Sequence, residues 1–360
     1  NLKGAEIDAE RFLENANNWI NYGANFELVI DAEFFTQIVG FFLNIGFNEF
    51  GITLAGIFIY FSSVGFLALK INPRWSPAAA IVIYFAFLSP NMLFRVAALL
   101  REPYVIFFVL VALILLCRGL ADGFKWALLG FGFFLCAGFF HKSVLALLPF
   151  VPILYLLATS YPQFRLRKIS LIVIGLACVS FLGYTVLPLI SELRGSQALV
   201  VILSGDFSAA EQIVTYKANR NFRTTYDYGA NWESWSGILW TVIKSNAYFY
   251  FKPLPWEIRT LTDFGLVCEH LLRIYLIVFL FNGMKVTGSK EMFLVLSVYI
   301  VWNLIWGIGT SNYGTGSRHH MTSMPLLIYA YYLYEKYEWS IKSDKNFVFP
   351  LFGAKNNGPV

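Results

Sequence analysis

The chain has 360 residues, of which 58% are hydrophobic and only 14% charged, with a net charge of +5 and a mean hydropathy of +0.60. A soluble domain carries about 25% charged residues, so this composition excludes an ordinary soluble globule. The basic residues are scattered through connections rather than clustered, which excludes a nucleic-acid surface and leaves nucleic acid out of the expected partners.

Taken in chain order, residues 1–33 are polar and acidic, with Glu6, Asp8, Glu10, Glu14, Glu27, Asp31 and Glu33 against Lys3 and Arg11. The chain opens at Asn1 on this stretch, which predicts that a first membrane span precedes it. Phe34–Phe47 is apolar but short and reads as an interfacial or re-entrant helix. Spans follow near 49–69, 76–89, 103–117, 125–140, 143–159 and 169–190. A mostly polar stretch covers 191–236, and 237–264 is amphipathic and aromatic. Three more spans lie near 265–284, 292–308 and 321–335, before a polar tail.

The expected architecture is therefore an all-α polytopic membrane protein of about nine to ten spans. Its parts are an extracytoplasmic segment (1–48), a six-span bundle (49–190), an extracytoplasmic loop region (191–264), three last spans (265–335) and a cytoplasmic tail (336–360). Alternating ten-residue strands are absent, which argues against a barrel. The four cysteines (Cys117, Cys136, Cys178, Cys268) sit in apolar segments without metal or redox spacing and read as small hydrophobes.

Orientation follows from the basic connections. Lys70 and Arg74, Arg118 and Lys125, Arg165 to Lys168, Lys285 and Lys290, and the tail from Lys336 all fall on one side of a nine-span chain. That side is expected to be the cytoplasm. Four cations break the rule in short outer connections: Arg95, Arg101, Lys142 and Arg318. Cations kept where topology disfavours them point to an anionic ligand at the outer face.

Arg318 belongs to the polar string Gly309–His320, which lies between two apolar segments and carries Arg318-His319-His320. Its glycines suit a backbone that bends or lets a ligand approach closely. His270, beside Glu269 and Arg273, reads as a satisfied helix-face residue. His141-Lys142 reads either as part of this outer set or as a turn between two short spans. Four histidines in three regions do not build a metal cage, and no Walker motif is present, so a metal-independent protein without ATP is expected.

A loop of the form Gly-x-x-Asn-x-Gly-x-x-x-Arg-His followed by a Pro-bearing span resembles the C-terminal signature of bacterial O-antigen and capsule repeat-unit polymerases (Wzy-type). Here its members are Gly309, Asn312, Gly314, Arg318, His319 and Pro325. Further resemblances are Phe251-Lys252-Pro253-Leu254-Pro255-Trp256-Glu257, Leu100-Arg101-Glu102 opening a span, and Asp8-Ala9-Glu10-Arg11-Phe12. The chain departs from the pattern with His320 where Arg is expected and Lys252 where Arg is common.

The resemblance implies a GT-C-like glycosyltransferase of the bacterial inner membrane, acting on polyprenyl-diphosphate-linked oligosaccharide at the outer leaflet. Membrane lipid, a chain-length regulator and a flippase are its expected partners. The diphosphate then calls for Arg101, Arg318 and Lys142, with Arg95 and Lys252 behind them. His319 or His320 suits a general base, with Glu102 as the alternative. Trp256, Glu257, Tyr226 and Trp232 are candidates to hold the glycan. An O-antigen ligase uses the same donor and leaves a similar trace. A lipid or polysaccharide transporter predicts charges near mid-membrane and internal repeats, and a non-catalytic subunit predicts cations that do not converge.

Overall fold

Apolar runs interrupted by single capping residues set where several of the helices start. The computed structural model describes residues 2–23, 32–70, 76–97, 100–161, 234–310 and 313–343. Among these, all regular structure is helical. Helices α1 (Leu2–Asn21) and α2 (Ala32–Asn44) pack together. Helix α3 (Glu49–Leu69) starts at Asn48, whose side chain accepts the Gly51 N–H at 2.8 Å. Helix α4 (Pro77–Leu88) starts at Ser76, which accepts the Ala79 N–H. These side chains satisfy amides that the first helical turn leaves open.

Helices α5 (Pro90–Ala97), α6 (Glu102–Asp122), α7 (Phe124–Phe140), α8 (Lys142–Leu147) and α9 (Phe150–Ser160) follow. From residue 234 onward come α10 (Trp235–Phe251), a short 3₁₀ turn (Pro255–Glu257), α11 (Leu261–Thr287), α12 (Lys290–Gly309) and α13 (Tyr313–Ser343).

Four of these helices, α3, α6, α11 and α12, are long and apolar enough to cross a bilayer, and α4, α7 and α9 are shorter apolar helices. Large side chains such as Phe58, Phe124 and Leu128 stay exposed, as on a surface bathed by lipid. The described residues thus form an all-helical fold whose long apolar helices suit a membrane-embedded protein. The expected span 169–190 and most of the 191–264 loop region lie outside the described residues.

Two expectations are corrected. The segment 143–159 is not one helix: it breaks between α8 and α9 at Pro149, which lacks an N–H to continue the ladder. The Arg-His-His string is not a loop. It forms the second and third turns of α13, because nothing between Tyr313 and His320 bars helical dihedrals and small residues let the turn pack. Gly316, for example, lies against Phe249.

Helix α13 occupies the centre. Every residue from Met321 to Tyr331 is buried, against α11, α12, α6, α5 and α4. Helices α6 and α13 run parallel, because Glu102 meets Arg318 near their starts while Arg118 and Lys336 line one cavity further along both. The same cavity gathers Lys70, Arg118 and Lys336. Three of the basic residues expected on one side thus share one end of the bundle, opposite Arg318, while Arg74 and Arg165 to Lys168 lie outside the described residues.

In lipid, helices associate through close packing rather than hydrophobic burial, so small residues set the contacts. Helices α6 and α7 turn at Gly123 (φ 106°) and pack as a hairpin. A Cβ on Gly130 would sit 2.8 Å from the Ala112 carbonyl oxygen. Gly130→Ala must push the hairpin apart and is expected to cost about 1–3 kcal/mol. Gly132→Ala, on the same helix with open space around it, is expected to be neutral or to stabilise by up to ~1 kcal/mol through helix propensity. Thermal melting of the two purified variants checks the pair.

Candidate active site

Helix α6 begins Arg101-Glu102-Pro103. Proline needs no partner in the first turn, and a carboxylate there faces the positive end of the helix dipole. Glu102 is 4% exposed. Its Oε1 accepts two bonds from Arg318, from Nε at 2.6 Å and from Nη2 at 2.5 Å. The residues are 216 positions apart in sequence, so the fold rather than the local chain makes this pair. Glu102 Oε2 is buried and makes no hydrogen bond among the described residues.

Arg101 donates from Nη1 to the Phe140 carbonyl at 3.3 Å, which satisfies the end of α7. His141, the next residue, caps α8. Its Nδ1 accepts the Ser143 N–H at 3.3 Å and meets the Ser143 hydroxyl at 2.8 Å, an arrangement that puts the ring proton on Nε2. Burial, then the charges of Arg101, His319 and Arg318, push the His141 imidazole well below its ordinary value. The Phe140 carbonyl that Arg101 reaches directly precedes His141, which places these two side chains beside each other.

Trp306 of α12 joins them. His319 stacks on it with ring centroids 3.3 Å apart and planes at 14°, and His141 meets it edge-on at 5.1 Å. The structure therefore brings together Arg101, Glu102, Arg318 and His319, and adds His141 and Trp306. The N-termini of α6 and α13 both open here, and their dipoles add positive potential. The site as a whole suits an anion beside a group that accepts a proton.

His320 faces elsewhere, as consecutive helical residues point about 100° apart. It is 2% exposed, and Nε2 donates to the Phe249 carbonyl at 2.8 Å while Nδ1 meets Asn303 Oδ1 at 3.2 Å. Its ring joins α10, α12 and α13, rather than standing with Arg318.

Lys252 is ion-paired to Glu257, whose Oε2 accepts the Leu254 N–H at 2.8 Å. Burial alone opposes ionisation of Glu257, but the Leu254 N–H and Lys252 outweigh it and hold the carboxyl below its ordinary value. Trp256 beside them is 79% exposed. These three residues make a separate unit between α10 and α11. Arg95 lies in α5 and Lys142 opens α8, but their side chains are outside the described residues, as are Tyr226 and Trp232 altogether.

A second polar cluster lies within the membrane-spanning bundle. Glu269, His270 and Arg273 of α11 are all buried. Glu269 Oε1 accepts the Ser89 hydroxyl at 2.8 Å and the Tyr84 hydroxyl at 3.2 Å. Arg273 Nη2 donates to the Tyr250 carbonyl at 3.1 Å, and the His270 and His320 rings are 5.7 Å apart. His270 is not a satisfied helix-face residue: its Nδ1 is buried without a hydrogen bond among the described residues. The signal was present as a carboxylate, an imidazole and a guanidinium within a five-residue stretch of an apolar run, where an ionisable residue marks a functional site by default. Asn303 and Trp306 left no such signal, since amide and indole are ordinary in a span.

Among the described residues, no three His, Cys, Asp or Glu side chains gather as a metal site. No family model, no curated protein and no solved structure matches this chain.

Proposed function

We propose that this protein is a membrane glycosyltransferase that polymerises polyprenyl-diphosphate-linked oligosaccharides at the outer face of the bacterial cytoplasmic membrane. One observation carries the reading: Arg318 and Glu102, far apart in sequence, are paired at the converging N-termini of α6 and α13, with Arg101 and His319 beside them. The resemblance of the same residues to the repeat-unit polymerases supports it.

In this reaction a hydroxyl oxygen of one lipid-linked repeat bonds to the anomeric carbon of the growing glycan. The bond from that carbon to the diphosphate breaks, and lipid diphosphate leaves with the electron pair. His319, half-buried at the site, takes the hydroxyl proton. Arg101 and Arg318 stabilise the charge that develops on the diphosphate. Glu102 holds the Arg318 guanidinium in orientation. Purified protein given a polyprenyl-diphosphate oligosaccharide of the correct repeat, with neither metal nor nucleotide sugar, is expected to produce a ladder of longer glycans. Absence of the ladder overturns the reading.

The buried Glu269, His270 and Arg273 favour a second reading, a transporter of lipid-linked glycan, because ionisable groups deep within a span commonly line a translocation path. It predicts that labelled lipid-linked oligosaccharide changes leaflet in proteoliposomes without elongation, and that Glu269→Gln stops it.

A further inference from the structure

The basic end of the bundle holds a cavity of about 720 Å³, within the ~300–1,000 Å³ of sites that enclose a small organic molecule. It lies between the ends of α3, α6 and α13. From Glu102 to Arg118 on α6 is 16 residues, so the mouth of the cavity is roughly 24 Å along the helix from the Arg318 pair, while its lining reaches up the helix to Phe107. Nothing in the proposed reaction uses it.

Its surfaces differ in a consistent way. Deep inside, Leu67, Leu110 and Leu333 form a closed apolar wall. On one flank Phe66 and Ile114 are 56% and 40% exposed, so the cavity opens sideways to where lipid lies. At the mouth stand Lys70, Arg118 and Lys336, against Asp122 and Glu291.

The two carboxylates are already engaged. Asp122 pairs with Arg118 at 3.0 Å, and Glu291 accepts the Ser289 hydroxyl at 3.2 Å. Lys70 and Lys336 make no ion pair among the described residues, and Lys70 rests over the Phe66 ring at 5.2 Å. The Arg118–Asp122 pair is neutral and the hydroxyl leaves the Glu291 charge in place, so Lys70 and Lys336 against Glu291 give a net positive mouth above an apolar slot open to the bilayer. Ser62 and Ser63 border the slot from a π-helical stretch, Phe61–Gly65, in the middle of α3, and such stretches commonly mark functional positions.

We propose that this cavity binds one anionic phospholipid, with its phosphate between Lys70 and Lys336 and an acyl chain along Phe66, Leu110 and Ile114. A soluble anion would use the lysines but not the apolar wall. A zwitterionic lipid would fill the wall but gain little from the lysines. The site is independent of the glycosyl-transfer reading, and binding tests it without any activity assay.

The experiment is native mass spectrometry of the detergent-purified chain with dioleoylphosphatidylglycerol or dioleoylphosphatidylcholine. Phosphatidylglycerol is expected to bind about tenfold more tightly, the order expected for two lysines near an anionic headgroup. Lys70→Glu with Lys336→Glu, both on exposed positions, is expected to remove that preference and leave phosphatidylcholine binding unchanged. Ile114→Trp, which fills the lateral opening, is expected to weaken both lipids. Equal binding of the two lipids, or a preference that survives the lysine reversals, overturns the proposal. So does inorganic phosphate that displaces phosphatidylglycerol at similar concentration, which marks a soluble-anion site. Binding untouched by Ile114→Trp places the lipid elsewhere and overturns it as well.

Discussion

Arg318→Ala is expected to abolish the glycan ladder, a loss of at least about a hundredfold, since oxyanion-type stabilisation by a single group is worth that much. The same substitution leaves Glu102 buried at 5% side-chain exposure without its guanidinium. Removing one partner of a buried ion pair costs about 3–5 kcal/mol, because the remaining charge keeps its desolvation penalty and loses its compensation. A lost ladder from the single variant therefore has two causes, and a second variant separates them. Arg318→Met with Glu102→Leu replaces the pair by apolar groups of similar volume, which restores stability at buried pairs in general. This double variant is expected to melt close to wild type and to make no ladder. A double variant that is stable and active reduces the pair to a structural tie and sinks the site assignment. Arg318→Lys keeps the charge but not the two-bond geometry from Nε and Nη2, so it is expected to be intermediate in both readouts.

The sequence made the class and the ends of the bundle legible for one physical reason: a bilayer punishes charge, so cations gather near helix ends, and Arg273, buried inside α11, is the exception. Lys70, Arg118 and Lys336 do meet at one end of the bundle, and Arg101 and Arg318 at the other. Arg101, Glu102, Arg318 and His319 were also legible, as cations and a histidine kept where topology disfavours them. The helical state of Tyr313–His320 was not legible, because Gly, Ser and Thr suit turns as well as small-residue helix contacts. The break at Pro149 was available in principle and was masked by unbroken apolarity on both sides. Trp306 was invisible for a different reason. A tryptophan in a span has an ordinary place at a membrane interface, and only the fold shows it stacked on His319. The different fates of His319 and His320 were beyond any sequence reading, because they depend on which neighbour each 100° step meets.

That difference gives the sharpest test of the division of labour. His320 is wedged among Phe249, Tyr250 and His270, with ring centroids 3.9, 5.7 and 5.7 Å away, and Phe249 and Asn303 engage its two nitrogens. Asn303 is itself fixed, since Nδ2 donates to the Tyr299 carbonyl at 2.7 Å and Oδ1 accepts the Ser323 hydroxyl at 3.1 Å. His320→Ala leaves the Phe249 carbonyl near the end of α10 without its donor, and an orphaned buried polar group costs about 1–3 kcal/mol before any cavity cost is added. His320→Ala is therefore expected to lower the melting temperature clearly. Activity should fall only in proportion to the folded fraction. His319 has the opposite profile. Its stacking on Trp306 is worth about 0.5–1.5 kcal/mol, so His319→Ala should melt near wild type. If its imidazole takes the hydroxyl proton, the rate of glycan extension falls by about 10²–10⁴. His319→Gln preserves a polar, planar side chain but supplies no base, and it should be as inactive as the alanine variant. An active His319→Gln together with a folded but inactive His320→Ala moves the proton to the buried ring and overturns the assignment.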